Sequence, residues 1–225
     1  MNEWLVVIVL IVASVMFWRH ERALRREAYI RAMTWPDGLF DGFRKRRPEL
    51  TPEDCELVGQ GLCQFFLVYL KSGRQFVSMP SQIVDDLWHE FILYTKHYQL
   101  FCSKAFGRFL HHTPASVLGS ERQSNAGLRR CWWFACCEEG IDPRAATRLP
   151  LLFTLDATLD IPDGFHYEAD CESARRTDAG GTKAHAVYCV GDFSSTSFDG
   201  TTDGFADQGF AGGDGAGDGG SCGGD

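Results

Sequence analysis

At 225 residues with a formal charge of −8, the chain is long enough for one ordinary domain once its compositionally biased ends are set aside. The charge is uneven: nine Lys or Arg and four acids lie between Arg19 and Arg47, whereas fourteen acids and three basic residues follow from Asp156 onward. Such an acidic end repels phosphate backbones and argues against nucleic-acid binding, and nine scattered cysteines without a C-x-x-C pair point to reduced cytosolic thiols rather than a secreted disulfide framework.

The first element is the uncharged run Trp4 to Trp18, WLVVIVLIVASVMFW, bracketed by two tryptophans that favour a membrane interface. As a helix it spans about 23 Å, short of the roughly 30 Å hydrocarbon core, and Arg19 can snorkel to make up the difference. No positive charge precedes the run and no small-x-small cleavage site follows it, so residues 1–20 read as an uncleaved transmembrane anchor. Glu3 lies before it and Arg19, Arg22, Arg25, Arg26 and Arg31 lie after it. The positive-inside rule then predicts an outside N-terminus and a cytoplasmic remainder. Residues 21–48 read as a basic juxtamembrane linker whose Arg44-Lys45-Arg46-Arg47 cluster either meets anionic headgroups or stays solvated.

Residues 49–171 carry the helical globular domain. Thr51-Pro52-Glu53-Asp54 is a helix start with Thr51 as N-cap, Pro52 at the first helical position and Asp54 completing a capping box. Val58, Leu62, Phe65, Phe66, Tyr69 and Leu70 follow at helical spacing. After an extended stretch from Gln75 to Met79, Pro80-Ser81 opens a second helix with Val84, Leu87, Trp88 and Phe91 on one stripe. A third helix passes from about Lys96 through Tyr98, Phe101 and Cys102 to a stop at Gly107, and Phe109 to Pro114 reads as irregular. A fourth covers Glu121 to Glu139, with Leu128, Cys131, Trp132, Ala135 and Cys136 inward. In its Cys136-Cys137 pair one thiol is expected inside and one near the surface. Leu149 to Gly164 holds an apolar segment that caps the bundle and closes on a Pro-Asp-Gly turn.

Residues 172–225 are dominated by Gly, Asp, Ser and Thr, with isolated Phe193, Phe198, Phe205 and Phe210. So little apolar surface predicts a disordered, solubilising tail. The expected fold class is therefore mainly α: one N-terminal transmembrane helix, a small helical bundle and a disordered Gly/Asp-rich C-terminal tail.

The constellation with most chemistry is Asp85, His89, His111 and His112, with His97 and Cys102 as outsiders. Asp85 and His89, four apart on one helix face, suit a divalent metal such as zinc or an orienting hydrogen bond. Because adjacent residues project in different directions, usually only one of His111 and His112 joins His89 around one ion, and both stand as candidate ligands. The competing reading is a buried hydrogen-bond network beside Trp88, with Tyr98 and Cys102 as further structural residues. No H-E-x-x-H, G-x-S-x-G or phosphate-binding glycine loop marks an enzyme.

The strings VDDLWHEFILYTKHYQLFC (84 to 102), FGRFLHHTP (106 to 114) and LPLLFTLDATLDIPDGF (149 to 165), with the Gly-rich end, resemble the glycine-rich-domain-containing proteins of bacteria and plants over roughly residues 50–171. The resemblance implies a helical domain with a Trp-His helix and a low-complexity C-terminus, and carries no catalytic mechanism. The functional expectation is a membrane-tethered cytosolic interaction or scaffold module with a protein partner; the alternative is a metal-binding domain or metal-dependent enzyme built on the Asp/His cluster.

Overall fold

A computed structural model describes residues 2–112, 121–169 and 187–206. Among these the protein is mainly helical, with α1 (Asn2–Arg31), α2 (Leu39–Arg46), α3 (Pro52–Lys71), α4 (Gln82–Leu93), α5 (Thr95–Phe106), α6 (Glu121–Glu138) and α7 (Leu151–Thr158). Two short strands, β1 (His166–Glu168) and β2 (Val187–Cys189), pair in parallel with Tyr167 opposite Tyr188, and a 3₁₀ turn follows at Val190–Ser194.

The packing centre is α3. Its N-terminus carries the expected capping box: Thr51 Oγ1 accepts from Asp54 N at 3.1 Å, and Asp54 Oδ2 accepts from Thr51 N at 2.9 Å. Val58, Leu62, Phe65, Phe66, Leu67 and Val68 are all buried, which takes in most of the circumference and marks an interior helix rather than an amphipathic surface one. At Gly61 a side chain would collide with Leu155 of α7 and press on Val84 of α4, so the missing Cβ is what lets both helices approach.

Two carboxylates fix the neighbouring helices to this centre. Pro150, the N-cap of α7, offers no side-chain hydrogen bond, and the exposed N–H groups behind it go elsewhere: Leu151 N donates to Glu139 Oε1 at 2.6 Å and Leu152 N to Gln64 Oε1 at 2.9 Å. Burial pushes the Glu139 carboxyl up, but the Leu151 N–H, Gln64 and Arg148 outweigh it and hold the group below the usual glutamate range. Asp156 on α7 in turn accepts from Ser81 Oγ (2.7 Å), Gln82 N (2.7 Å), Ile83 N (3.1 Å) and Phe165 N (2.8 Å), tying the start of α4 to α7 and to the Pro-Asp-Gly turn. Negative charge at the first turn of α4 also complements its dipole.

The structure departs from the sequence reading in three places. First, residues 21–48 are not a solvated linker. α1 continues unbroken to Arg31, and Ile30, Leu39 and Phe43 are fully buried. Glu27, Arg31, Lys71 and Glu138 form an ion-pair network that ties the end of α1 to α3 and α6, with Lys71 Nζ 2.6 Å from Glu138 Oε2. In the basic cluster, Arg47 pairs with Asp86 (2.6 Å) and Asp163 (3.0 Å), Arg46 pairs with Glu90 (3.2 Å), and Arg44 Nε donates to Leu50 O. Arg47 is thus half-buried in an ion-pair cluster, while Arg44, Lys45 and Arg46 stay at the surface.

Second, residues 187–206 are folded although their composition reads as tail. Phe193 is fully buried against Trp132, Phe198 packs on Phe193, and Phe205 meets Trp133 edge-on at 5.2 Å. Burying one such ring stabilises docking by about 2–3 kcal/mol. The apolar surface that the segment lacks is supplied by α6. Gly204 (φ 84°) lies against the α6 backbone, where any Cβ would collide with Ala126 O. Beneath it Arg129, completely buried, forms an ion pair with Asp199 and further bonds to Thr201 Oγ1 (3.4 Å) and Asp203 O (3.2 Å). The expected disorder of 172–186 and 207–225, and Phe210 with it, lies outside the described residues.

Third, the thiols are not uniformly reduced. Cys55, Cys63, Cys102, Cys131 and Cys136 are free, but Cys137 and Cys189 each stand in a disulfide. Cys136 points into the core, where burial pushes its thiol well up, while Cys137 is half-buried. The inward/outward split expected for the pair is present, and the outer thiol is the oxidised one.

From Trp4 to Trp18 every large apolar side chain of α1 is exposed, and the helix is long and apolar enough to cross a membrane.

Candidate metal centre

The start of α4 is set by Ser81 and Asp156, and this fixes the rotation of the helix: Val84, Leu87, Trp88 and Phe91 enter the core while Asp85 and His89 lie along its rim. Trp88 Nε1 donates to the Tyr98 hydroxyl at 3.1 Å, which donates to Leu110 O at 2.6 Å. Burial, foremost, drives the Tyr98 hydroxyl far above the usual tyrosine range, so it is a permanent donor. Cys102, fully buried in the same group, has its thiol pushed up by burial. Trp88, Tyr98 and Cys102 thus pin the chain at Leu110, two residues before His112.

That anchoring brings His112 back over α4. Its Nε2 lies 2.8 Å from Asp85 Oδ1, and His89 Nδ1 lies 3.5 Å from Asp85 Oδ2. The two imidazole rings are 4.3 Å apart between centroids, and His112 also meets Trp88 edge-on at 4.6 Å. One ligand atom from each of Asp85, His89 and His112 falls within 4.8 Å of the others. His111 does not join them; it is exposed, and its ring lies 4.8 Å from Phe109. It borders the same cavity without reaching Asp85 or His89.

The trio is accessible. The side chains of His89, Asp85 and His112 are 42%, 21% and 12% exposed, and they border a cavity of about 470 Å³. Aromatic walls come from Phe65 and Tyr69 of α3 and from Phe165, Tyr188 and Phe198. Tyr188 and Phe198 belong to the segment clipped down by Arg129 and Asp199, so the last described part of the chain completes the cavity. Neither that wall nor Asp156 is evident from spacing. For Asp156 the signal was a lone acid in the apolar run LPLLFTLDATL, a position that burial tolerates only when the carboxylate is fully hydrogen-bonded.

Two histidines and one carboxylate are a recurrent donor set for divalent transition metals. Ligand atoms about 2.1 Å from a tetrahedral ion are about 3.4 Å apart. The two separations are to different oxygens of the carboxylate, 3.5 Å from His89 Nδ1 to Oδ2 and 2.8 Å from His112 Nε2 to Oδ1, so an ion held by all three residues would replace the direct His112–Asp85 hydrogen bond.

Fold and site together define a mainly helical domain with an Asp/His cluster at the mouth of an aromatic cavity, carried on a helix able to cross a membrane. Residues 25–193 match the UCP032817-like family, and the chain belongs to it. This corrects the expected kinship with glycine-rich-domain-containing proteins: the match begins within α1, runs through the Trp-His helix and stops at Phe193, leaving most of the Gly-rich end outside it. Short strings around a Trp-His helix and a biased tail were too little to tell two helical families apart. No curated protein and no solved structure matches the chain.

Proposed function

We propose that the protein is a membrane-tethered domain that holds one divalent metal ion, such as zinc or iron, on Asp85, His89 and His112. The single observation behind this reading is that these three donors converge at the edge of a solvent-accessible cavity. A buried network with no access would favour a purely structural role. Three protein ligands leave coordination positions for water or for a small molecule in the cavity, the arrangement found where a metal acts as a Lewis acid.

The second reading, an interaction module without a metal, is supported by the direct 2.8 Å bond between His112 and Asp85, which latches the 110–112 segment to α4 by itself. Metal analysis of the full chain in detergent separates the two. With the ion bound, one equivalent of zinc or iron per chain is expected, lost in His89→Ala and His112→Ala and kept in His111→Ala. A folded wild-type chain that takes up no metal from stoichiometric zinc or iron(II) leaves the latch and overturns the metal site.

The tether rests on α1. The arginines after the apolar run favour a cytoplasmic domain, whereas the disulfides at Cys137 and Cys189 belong to an oxidising compartment. The cytoplasmic orientation is proposed on the charge asymmetry alone, and the two disulfides count against it. A reporter fused after Ala206 that is active only outside the cytoplasm would reverse this orientation.

A further inference from the structure

We propose that Arg22, Arg26 and Arg74 form a binding site for the phosphate-bearing headgroup of one anionic phospholipid. Arg22 and Arg26 lie one turn apart on the same face of α1, and Arg74 reaches them from the turn after α3. With Trp18 and Gly107 they line a surface cavity of about 700 Å³ that shares no residue with the one beside Asp85. Gly107 ends α5 at φ 72°. A Cβ there would collide with Arg26 Nη2 and sit 3.7 Å from Arg22 Nη2, so both guanidinium groups converge over this bare helix end.

The arginines of α1 divide by partner. Arg25 and Arg31 pair with Glu21 and Glu27, one turn before each. Among the described residues no carboxylate pairs with Arg22 or Arg26, and Arg22 and Arg74 both repel Arg26. The cavity's one acid, Glu27, is already taken by Arg31 and Lys71. The carbonyl end of α5 offsets part of this charge, since Arg74 Nη1 donates to Phe106 O at 3.0 Å. Among the described residues the charge of Arg22 and Arg26 has no carboxylate counter-ion.

Depth identifies the anion. Trp18 closes the apolar run, and Arg22, whose guanidinium lies 5.1 Å from the Trp18 ring, follows about 6 Å further along the helix, with Arg26 about 12 Å along it. The headgroup layer on each side of a bilayer is about 5–8 Å thick. Side chains on a helix lean toward its N-terminus, here toward the lipid, which brings both guanidinium groups to phosphate level. Planar guanidinium forks match phosphate oxygens two at a time. Arg74, from a different element, makes this a site of the folded domain and not only a basic flank.

The test is native mass spectrometry of the full chain in mild detergent, equilibrated with equal amounts of phosphatidylglycerol and phosphatidylcholine. One retained phosphatidylglycerol per chain is expected, reduced about fivefold by Arg22→Gln and by Arg26→Gln, and unchanged by Arg25→Gln. Both test positions lie on an already formed helix and leave the Arg74 cap of α5 intact, and an unchanged melting midpoint checks the fold. Equal loss in Arg25→Gln would reduce the effect to general charge, and equal retention of the two lipids would remove the headgroup preference. Tight binding of inorganic phosphate by the lipid-free chain, without any lipid preference, would reassign the site to a soluble phosphate. Each of these three results overturns the proposal.

Discussion

The two ends of the described chain behave in opposition to their composition. Residues 4–18 are the most apolar stretch of the protein, yet all their large side chains are exposed; residues 187–206 are polar and acidic, yet they bury Phe193 and Val190 and neutralise a fully buried arginine. Hydrophobicity states what a segment gains by leaving water, and geometry states which surface receives it. The N-terminal run is offered no protein surface among the described residues, and by length and hydropathy it could cross a membrane. The C-terminal segment is offered Trp132, Trp133 and Arg129, and three phenylalanines with one aspartate suffice to hold it.

The contrast breaks most sharply at the N-terminus. Leu10→Arg with Ile11→Arg costs about 5–7 kcal/mol of insertion, and carbonate extraction is expected to release the chain from membranes. The melting midpoint of the domain stays unchanged, because neither side chain touches the core.

Between the ends, Asp156 serves the whole domain. Asp156→Ala leaves the N–H groups of Gln82, Ile83 and Phe165 and the Ser81 hydroxyl without their acceptor, at about 3–5 kcal/mol in denaturant unfolding. It is also expected to weaken metal retention, since α4 loses the anchor that orients Asp85 and His89.

Asp199→Ala acts locally. It leaves Arg129 charged and buried, but the segment can release and admit water, which limits the loss to about 2–3 kcal/mol. Amide exchange is expected to accelerate in 187–206 and not in α3.

The smallest effect is on pH. The Arg129 guanidinium, with Asn125 and Thr201, holds the Asp199 carboxyl well below the usual aspartate range. A depressed folded value means that the stabilisation is complete above an ordinary aspartate pKa, about 4, and is lost as pH falls below it toward the folded value. The 187–206 amides are therefore expected to stay protected at pH 5 and to lose protection only in stronger acid. Loss of protection near neutrality would show that the clip does not hold the segment.

Local chemistry was legible in the sequence. The apolar run, the capping box at Thr51 and Asp54, the Ser81 helix start, the Gly107 stop, the stripe through Trp88 and the pairing of Asp85 with His89 each depend on residues within about two turns of one another. Spacing also favoured one of His111 and His112, not both, beside that pair. Which of the two it is depended on Leu110 being held by Tyr98. The fate of residues 21–48 and 187–206, the oxidised state of Cys137 and Cys189, the cavity walls and the convergence of Arg22, Arg26 and Arg74 were decided by tertiary structure. In each of these cases the deciding partner is far away in sequence, and the energy of meeting it is not a property of either segment alone.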